Sequence, residues 1–399
     1  RGFAPEPMML PGPARRQVLA VGAELKNTVA VAKDDFVVCS HHIGDLEHLA
    51  AYESFRQAVG HLQALYGVSA GVIAHDMHPE YLSTKFALDL EADEGARLLA
   101  VQHHHAHVAS CLVEHGRQDR VLGIVFDGLG YGLDGTLWGG EWLLADLENC
   151  QRVGHIKPVP LPGGAAAIRE PWRMALSWLA ATEGHEAAAR QGAGLDDRWA
   201  AVLSLVEAGA SPVTTSAGRL IDAVAALLGV RRRITYEGQA AIELEAAAAG
   251  VPDEAAPAYA DCELISGEGQ AAVLDPGPLI GALLADRERG TPVAVVAAGF
   301  HRALARASSL LAIDLARSAH VSTVALSGGV FQNVRLTRLV SAQLSEAGLE
   351  VLVHERLPPN DGGISVGQAA IAALSREAGE APVVQRPGRR GGAAETPGC

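Results

Sequence analysis

The sequence predicts an α/β protein of two lobes, each opening on the same strand–turn–strand unit. Three observations carry this. An apolar strand from Val18 leads through Gly22 into a second apolar strand ending near Ala32, and the pattern returns where Val121–Phe126 runs through Gly128, Gly130 and Gly132 toward Trp142–Ala145. Strand-like and helix-like runs alternate in both halves, as in α/β domains. The residues able to do chemistry collect just past strand ends, where α/β folds place their sites. A unit used twice points to internal duplication.

The elements follow in chain order. Residues 1–17, with Pro5, Pro7, Pro11 and Pro13, read as a linker into a first lobe at 18–118. Residues 45–67 have a helical pattern. Val72-Ile73-Ala74 is a short buried strand ending at His75-Asp76, and Pro79 suits the first turn of the helix after it. Leu98–Val101 is a strand leading into a histidine-rich helix. The second lobe, 119–376, starts with the returning hairpin and passes through an alanine-rich, mainly helical region at 165–250. A helix from Val293 to Ser318, strands at 323–326 and 351–353 and a helix at 364–376 complete it, the last free to pack back on the first lobe. Residues 377–399 have the composition of a flexible tail.

Composition narrows the function. The 399 residues, 49% of them hydrophobic, suffice for two or three cored domains. Five cysteines (Cys39, Cys111, Cys150, Cys262, Cys399) form no C-x-x-C pair, which argues against a disulfide scaffold or zinc finger and for a reducing, cytoplasmic setting. No apolar run is long enough for a membrane span. A net charge of -14 disfavours a nucleic-acid face, and Arg231-Arg232-Arg233 reads as a solvated loop. The first residue is Arg rather than Met, so the chain reads as a piece of something longer.

Four histidines fall in the stretch His103-His104-His105-Ala106-His107. On a helix His103 and His107 lie one turn apart on one face, so both imidazoles reach one point, a spacing that suits a metal. Asp127, ending an apolar strand before a glycine, is a costly carboxylate unless it meets a cation. Asp361, in a Gly/Pro loop before a helix, has the same character, or that of a helix cap. A His2Asp2 set suits Fe(II), Zn(II) or Mn(II) better than a cation that prefers oxygen alone. Glycine loops form a second constellation: Gly128, Gly130 and Gly132; Gly163-Gly164; Gly218 ahead of Arg219 and Asp222; and Ser327-Gly328-Gly329 ahead of Asn333. Such loops let backbone amides approach a phosphate or nucleotide, and Lys26 in the first hairpin is a further phosphate contact. His104 occupies the place where a zinc protease needs its glutamate, and neither a G-x-S-x-G elbow nor a P-loop occurs.

These residues resemble a known family. The two hairpins, the helix with two metal histidines and the S-G-G-V-x-x-N loop resemble the nucleotide-binding fold of actin, sugar kinases and Hsp70 (the ASKHA fold), and within it the carbamoyl-transferring branch. The match is to the C-terminal transferase half of the HypF family of [NiFe]-hydrogenase maturation. It rests on G-A-E-L-K-N-T at 22–28, H-I-G-D-L at 42–46, H-D-M-H-P-E-Y-L-S-T at 75–84, Q-H-H-H-A-H at 102–107, L-P-G-G at 161–164, R-E-P-W-R at 169–173, G-R-L-I-D-A-V at 218–224, Y-E-G-Q-A-A at 236–241 and P-N-D-G-G at 359–363.

The resemblance implies that His103, His107, Asp127 and Asp361 hold a divalent metal, with Fe(II) ahead of Zn(II), Mn(II) or Mg(II). It implies ATP or carbamoyl-adenylate at Gly128, Gly130, Gly163, Gly164, Gly328, Gly329 and Asn333. Gly218 and Asp222 would bear on the ribose, and Lys26 and Arg219 on phosphate or carbamoyl. The implied reaction passes the carbamoyl group to the C-terminal cysteine thiolate of HypE, giving a thiocarboxamide for cyanide-ligand synthesis. The adenylate would come from a YrdC-like domain upstream of this segment, and a chance match or scar explains Cys399 better than an acceptor role. An O-carbamoyltransferase for small-molecule hydroxyls and a non-catalytic nucleotide-binding scaffold are the alternatives.

Overall fold

Two mixed sheets carry the same core arrangement. The computed structural model describes residues 6–259, 262–265 and 270–376. In the first sheet, β2 (Val18–Ala20), β3 (Ala30–Lys33) and β4 (Phe36–Cys39) form an antiparallel run; β5 (Val72–Asp76) and β6 (Arg97–Val101) extend it in parallel from β2. In the second, β7 (Val121–Tyr131), β8 (Leu137–Ala145) and β9 (Cys150–Ile156) are antiparallel; β14 (Thr323–Ser327) and β15 (Glu350–Leu352) extend it in parallel from β7. Both cores therefore read third-second-first-fourth-fifth across the sheet. The second sheet gains β12 (Glu263–Ile265) and β13 (Ala272–Asp275) beyond β9, and β10 (Val159–Pro160) and β11 (Val213–Thr214) beside β8.

The strands form where apolar, β-branched residues are buried on both faces, as Val121–Asp127 and Thr323–Ser327 are throughout. Trp142, Trp172, Trp178, Phe126 and Phe300 fill the larger core, each contributing roughly 1.5–3 kcal/mol through burial. Leu19, Ile73 and Phe55 anchor a smaller core under the first sheet.

Two helices lie between the sheets and exchange partners. The histidine helix, His103–Glu114, follows β6 yet packs on β7, β8 and β14. The closing helix, Ile364–Leu374, follows β15 yet packs on β2, β3 and β5. They meet so closely that a Cβ on Gly367 would stand 1.9 Å from the Ala106 carbonyl oxygen. Side chains stitch the closing helix to the first sheet: Gln368 Oε1 accepts from the Gly22 N–H (2.9 Å), and the Thr28 and Ser365 hydroxyls pair at 2.7 Å.

Some local expectations shift. Within the proline-rich segment, Met8–Met9 form β1, pairing with β4 at the sheet edge, where prolines nearby cost no ladder bond. The helix after β5 starts at Leu82 rather than at Pro79, which sits in the preceding turn. The tail 377–399, with Cys399, lies outside the described residues. Among the described residues no helix is long and apolar enough to cross a membrane, and Cys39, Cys111, Cys150 and Cys262 form no disulfide.

Candidate metal centre and nucleotide cleft

The histidine helix begins abruptly because Gln102 caps it, its side-chain oxygen accepting from the His105 N–H at 2.8 Å. That start puts His103 and His107 on the first two turns, both fully buried. Asp127 sits where the β7–β8 register shifts between Phe126 and Gly130, an irregularity of the kind that re-aims a side chain. Asp361 opens a short turn, Asp361–Gly363, set by Asn360, whose side chain accepts from the Gly362 N–H.

Three elements thus bring four donors together: the histidine helix, β7 and the Asp361 turn. His103 Nε2 stands 3.3 Å from Asp127 Oδ2 and 3.8 Å from Asp361 Oδ1; His107 Nε2 stands 3.6 and 3.7 Å from the same two atoms. One ligand atom from each lies within 4.8 Å of the others. Donors on a tetrahedron with metal bonds of about 2.1 Å would stand about 3.4 Å apart, so the cluster has room for one ion. His107 Nε2 is buried without a hydrogen-bond partner, as a vacant ligand atom would be.

The electrostatics agree. Burial alone would raise the Asp127 pKa, yet the two imidazoles hold it well below the usual carboxylate range. Burial alone would lower His103, yet Asp76, Asp127 and Asp361 raise it well above the ordinary value. The pocket is built for positive charge in contact with these carboxylates. Asp76, at the end of β5, accepts from His103 Nδ1 at 2.7 Å, both side chains fully buried, which turns Nε2 toward the cluster. The other two histidines do structural work. His105 Nε2 donates to the Asp146 carbonyl (2.7 Å), and His104 stacks near Trp138 and contacts Gln102.

A cleft of about 350 Å³ opens beside the cluster, and Asp127 lies in its wall. Lys26, Gly128, Gly218, Arg219, Asp222, Gly329 and Asn333 line it. Asp127 Oδ1 accepts from the Gly329 N–H at 2.9 Å, joining cluster and glycine loop. Gly328 lies beneath, with φ +95 and space for no side chain, since a Cβ would meet the Phe126 carbonyl oxygen at 2.3 Å. Arg219 is buried; its Nη1 lies 3.1 Å from Asp222 Oδ2 as an ion pair without hydrogen-bond geometry, and its Nε has no hydrogen-bond partner. Lys26 is paired with Glu237 across the cleft; burial opposes its charge, but Glu237, Asp361 and Asp127 outweigh that and raise its pKa. Asn333 caps the helix Val334–Glu346, and its amide nitrogen donates to His301 Nε2 at 3.0 Å.

Three expected nucleotide residues are elsewhere. Gly130 packs under the histidines, where a Cβ would lie 2.5 Å from His104 Cε1. Gly163 and Gly164, at φ +87 and +56, form the turn that opens the helix Ala165–Arg169, beside Arg173. A double glycine serves a tight turn as readily as a phosphate cradle, and here it serves the turn. The sequence reading missed Glu237 and Glu245 in the cleft wall, and the roles of Asp76, Glu114, Ser327 and His354. Of these only Asp76 gave a local signal, as a carboxylate ending a buried strand.

Residues 123–368 match the family described as carbamoyltransferase, Kae1-like domain, second subdomain, and residues 13–114 match the HypF Kae1-like domain. The chain belongs to the HypF carbamoyltransferase family. It is 39% identical to carbamoyltransferase HypF2 of Cupriavidus necator over 400 residues, covering 93% of this chain and 48% of that one. It is also 39% identical to a carbamoyltransferase HypF homolog of the same organism, covering 92% of this chain and 93% of that one. The crystal structure of a full-length HypF in its phosphate- and nucleotide-bound form superposes with a TM-score of 0.87 at 36% identity, covering 93% of this chain and 48% of that one. This chain thus spans about half the length of HypF2 and of the crystallised HypF.

Proposed function

We propose that this chain transfers the carbamoyl group of carbamoyl-adenylate to the C-terminal cysteine thiolate of HypE, forming the thiocarboxamide used for cyanide-ligand synthesis. The observation that carries the reading is Asp127, which belongs at once to the four-donor cluster and to the wall of the cleft. A nucleotide-linked carbamoyl group in that cleft would stand beside the cluster. The HypF membership and the nucleotide-bound relative support the choice of substrate.

In this reaction the thiolate sulfur attacks the carbamoyl carbon, the carbon–oxygen bond to the adenylate phosphate breaks, and its electron pair leaves with AMP. A divalent metal, Fe(II) first among the candidates, would be held by His103, His107, Asp127 and Asp361 and would supply Lewis acidity. Arg219, with buried Nε and Nη1 donors that hold no hydrogen bond, binds the phosphate. Lys26 neutralises charge at the mouth, and the Gly128 and Gly329 backbones admit the nucleotide closely. Asp222 serves the ribose. We read the two sheets, with their common strand order, as a duplicated ASKHA unit with lobes at 18–118 and 119–376. The adenylate would come from a YrdC-like domain, in the cytoplasm.

The test supplies the purified chain with carbamoyl-adenylate and a peptide ending in the HypE-type cysteine, and looks by mass spectrometry for the carbamoylated thiol. Labelling by the wild type and none by His107→Ala is expected. Labelling of sugar hydroxyls in place of the thiol, or equal labelling by the variant, overturns the reading.

A further inference from the structure

Glu114 ends the histidine helix, seven positions and about 10 Å from His107. Its two carboxylate oxygens face different tasks. Oε2 accepts from His354 Nδ1 at 3.0 Å, with the two side chains only 2% and 1% exposed. Oε1 accepts from three consecutive backbone N–H groups, those of Glu355 (2.8 Å), Arg356 and Leu357 (3.3 Å). On the far side of His354, Nε2 lies 2.9 Å from Ser327 Oγ, which lies 3.4 Å from His107 Nδ1.

The protons in this chain can be placed. A carboxylate only accepts, so His354 gives Glu114 its Nδ1 proton and presents a lone pair at Nε2. The Ser327 hydroxyl donates to that lone pair, and its own oxygen accepts from His107 Nδ1–H. Every donor points toward Glu114. His107 therefore carries its proton on Nδ1, and its Nε2 lone pair is free to face Asp127 and Asp361. Asp76 does the same for His103 in one step. The second oxygen of Glu114 acts on the other side of the site: the three amides it holds begin the loop that delivers Asp361, and Pro359 of that loop accepts from the Gly328 N–H at 2.8 Å.

We propose that Glu114 is the shared positioning residue for two of the four cluster groups, acting on His107 through His354 and Ser327 and on Asp361 through the backbone of 355–357. The proposal rests on the reading of His107 and Asp361 as metal ligands. Loss of such outer contacts lowers metal affinity by about 10–100-fold.

The test uses the full chain with Co(II) alone as probe, following its absorption bands, and reads the ring-15N shifts of His107 without metal at alkaline pH, where the ring is neutral. Ser327→Ala cuts one arm only: the Co(II) Kd should rise about tenfold, and His107 should lose its Nδ1–H signature for a tautomer mixture. Glu114→Gln weakens both arms, so its Kd should rise further, toward 100-fold, with altered Co(II) bands. Wild-type Kd values and ring shifts in Ser327→Ala overturn the proposal even if Glu114→Gln fails to fold. If the wild type takes up no Co(II), the ligand reading falls, and the ring shifts alone then uphold or overturn the wiring.

Discussion

Two glycine-to-alanine substitutions, both inside helices, should shift stability in opposite directions. At Gly367 a Cβ would stand 1.9 Å from the Ala106 carbonyl oxygen and 2.7 Å from its carbon. An ordinary C···O contact is about 3.3 Å, so the closing and histidine helices would have to part by about 1.4 Å. The obstacle is backbone, which cannot swing aside, and overpacking of this kind costs about 3 kcal/mol. Alanine returns about 1 kcal/mol of helix propensity. The net loss of about 2 kcal/mol should lower Tm by roughly 2–3 °C in a chain of this size. Gly60, in the helix Leu49–Tyr66, has nothing within 4 Å of its would-be Cβ. Gly60→Ala should therefore raise stability by about 0.5–1 kcal/mol. Calorimetric melts of both variants beside the wild type decide it. Equal shifts of the same sign, or a Gly367→Ala melt at the wild-type temperature, would refute the close-packed helix pair that carries the cluster.

Three further outcomes follow from named contacts. Asp76 accepts at one oxygen from His103 and at the other from the His78 N–H (2.9 Å), so Asp76→Asn must turn an NH2 toward one of them. Its Co(II) affinity should fall about 10–100-fold, and an unchanged titration would contradict the role given to Asp76. Arg219→Lys should weaken binding of an AMP analogue by about 1.5–3 kcal/mol, measured by calorimetry, because an ammonium cannot reproduce the planar guanidinium, whose Nε and Nη1 hold no hydrogen bond; equal affinities would remove Arg219 from the phosphate site. Glu24 accepts from the Leu82 N–H, and burial pushes its pKa up to about 7. A carboxyl with a raised folded pKa favours the fold below its unfolded pKa and loses that advantage as pH rises through about 7. Glu24→Gln should therefore be more stable than wild type at pH 8 by about 1–2 kcal/mol, allowing for partial solvation, with the gap closing toward pH 4 in denaturant titrations. A gap that widens in acid would reverse the sign.

The cluster was legible in the sequence because its signals are local. His103 and His107 are one helical turn apart, and Asp127 and Asp361 each interrupt an apolar or Gly/Pro context with a charge. Gly128, Gly218 and Gly329 were legible as glycines at element ends, but so were Gly130, Gly163 and Gly164, which the fold uses for imidazole packing and a turn. One-letter context does not separate a cradle from a corner. β9, with Gln151, Arg152 and His155 in it, lacks the apolar run that revealed β7. The contact between His354 and Glu114 spans 240 positions, and no periodicity links such residues. The crossing of the two central helices, each packing on the other half's sheet, is likewise decided by tertiary packing alone.

The central claim is that cluster and cleft act as one site, joined at Asp127. Asp127→Asn, assayed for bound metal, AMP-analogue affinity and carbamoyl transfer to the cysteine peptide, tests it most directly. The account predicts loss of the metal and a fall in transfer of at least about 100-fold, with the analogue still binding within a few-fold of wild type. Transfer at the wild-type rate by a variant that has lost its metal would contradict it.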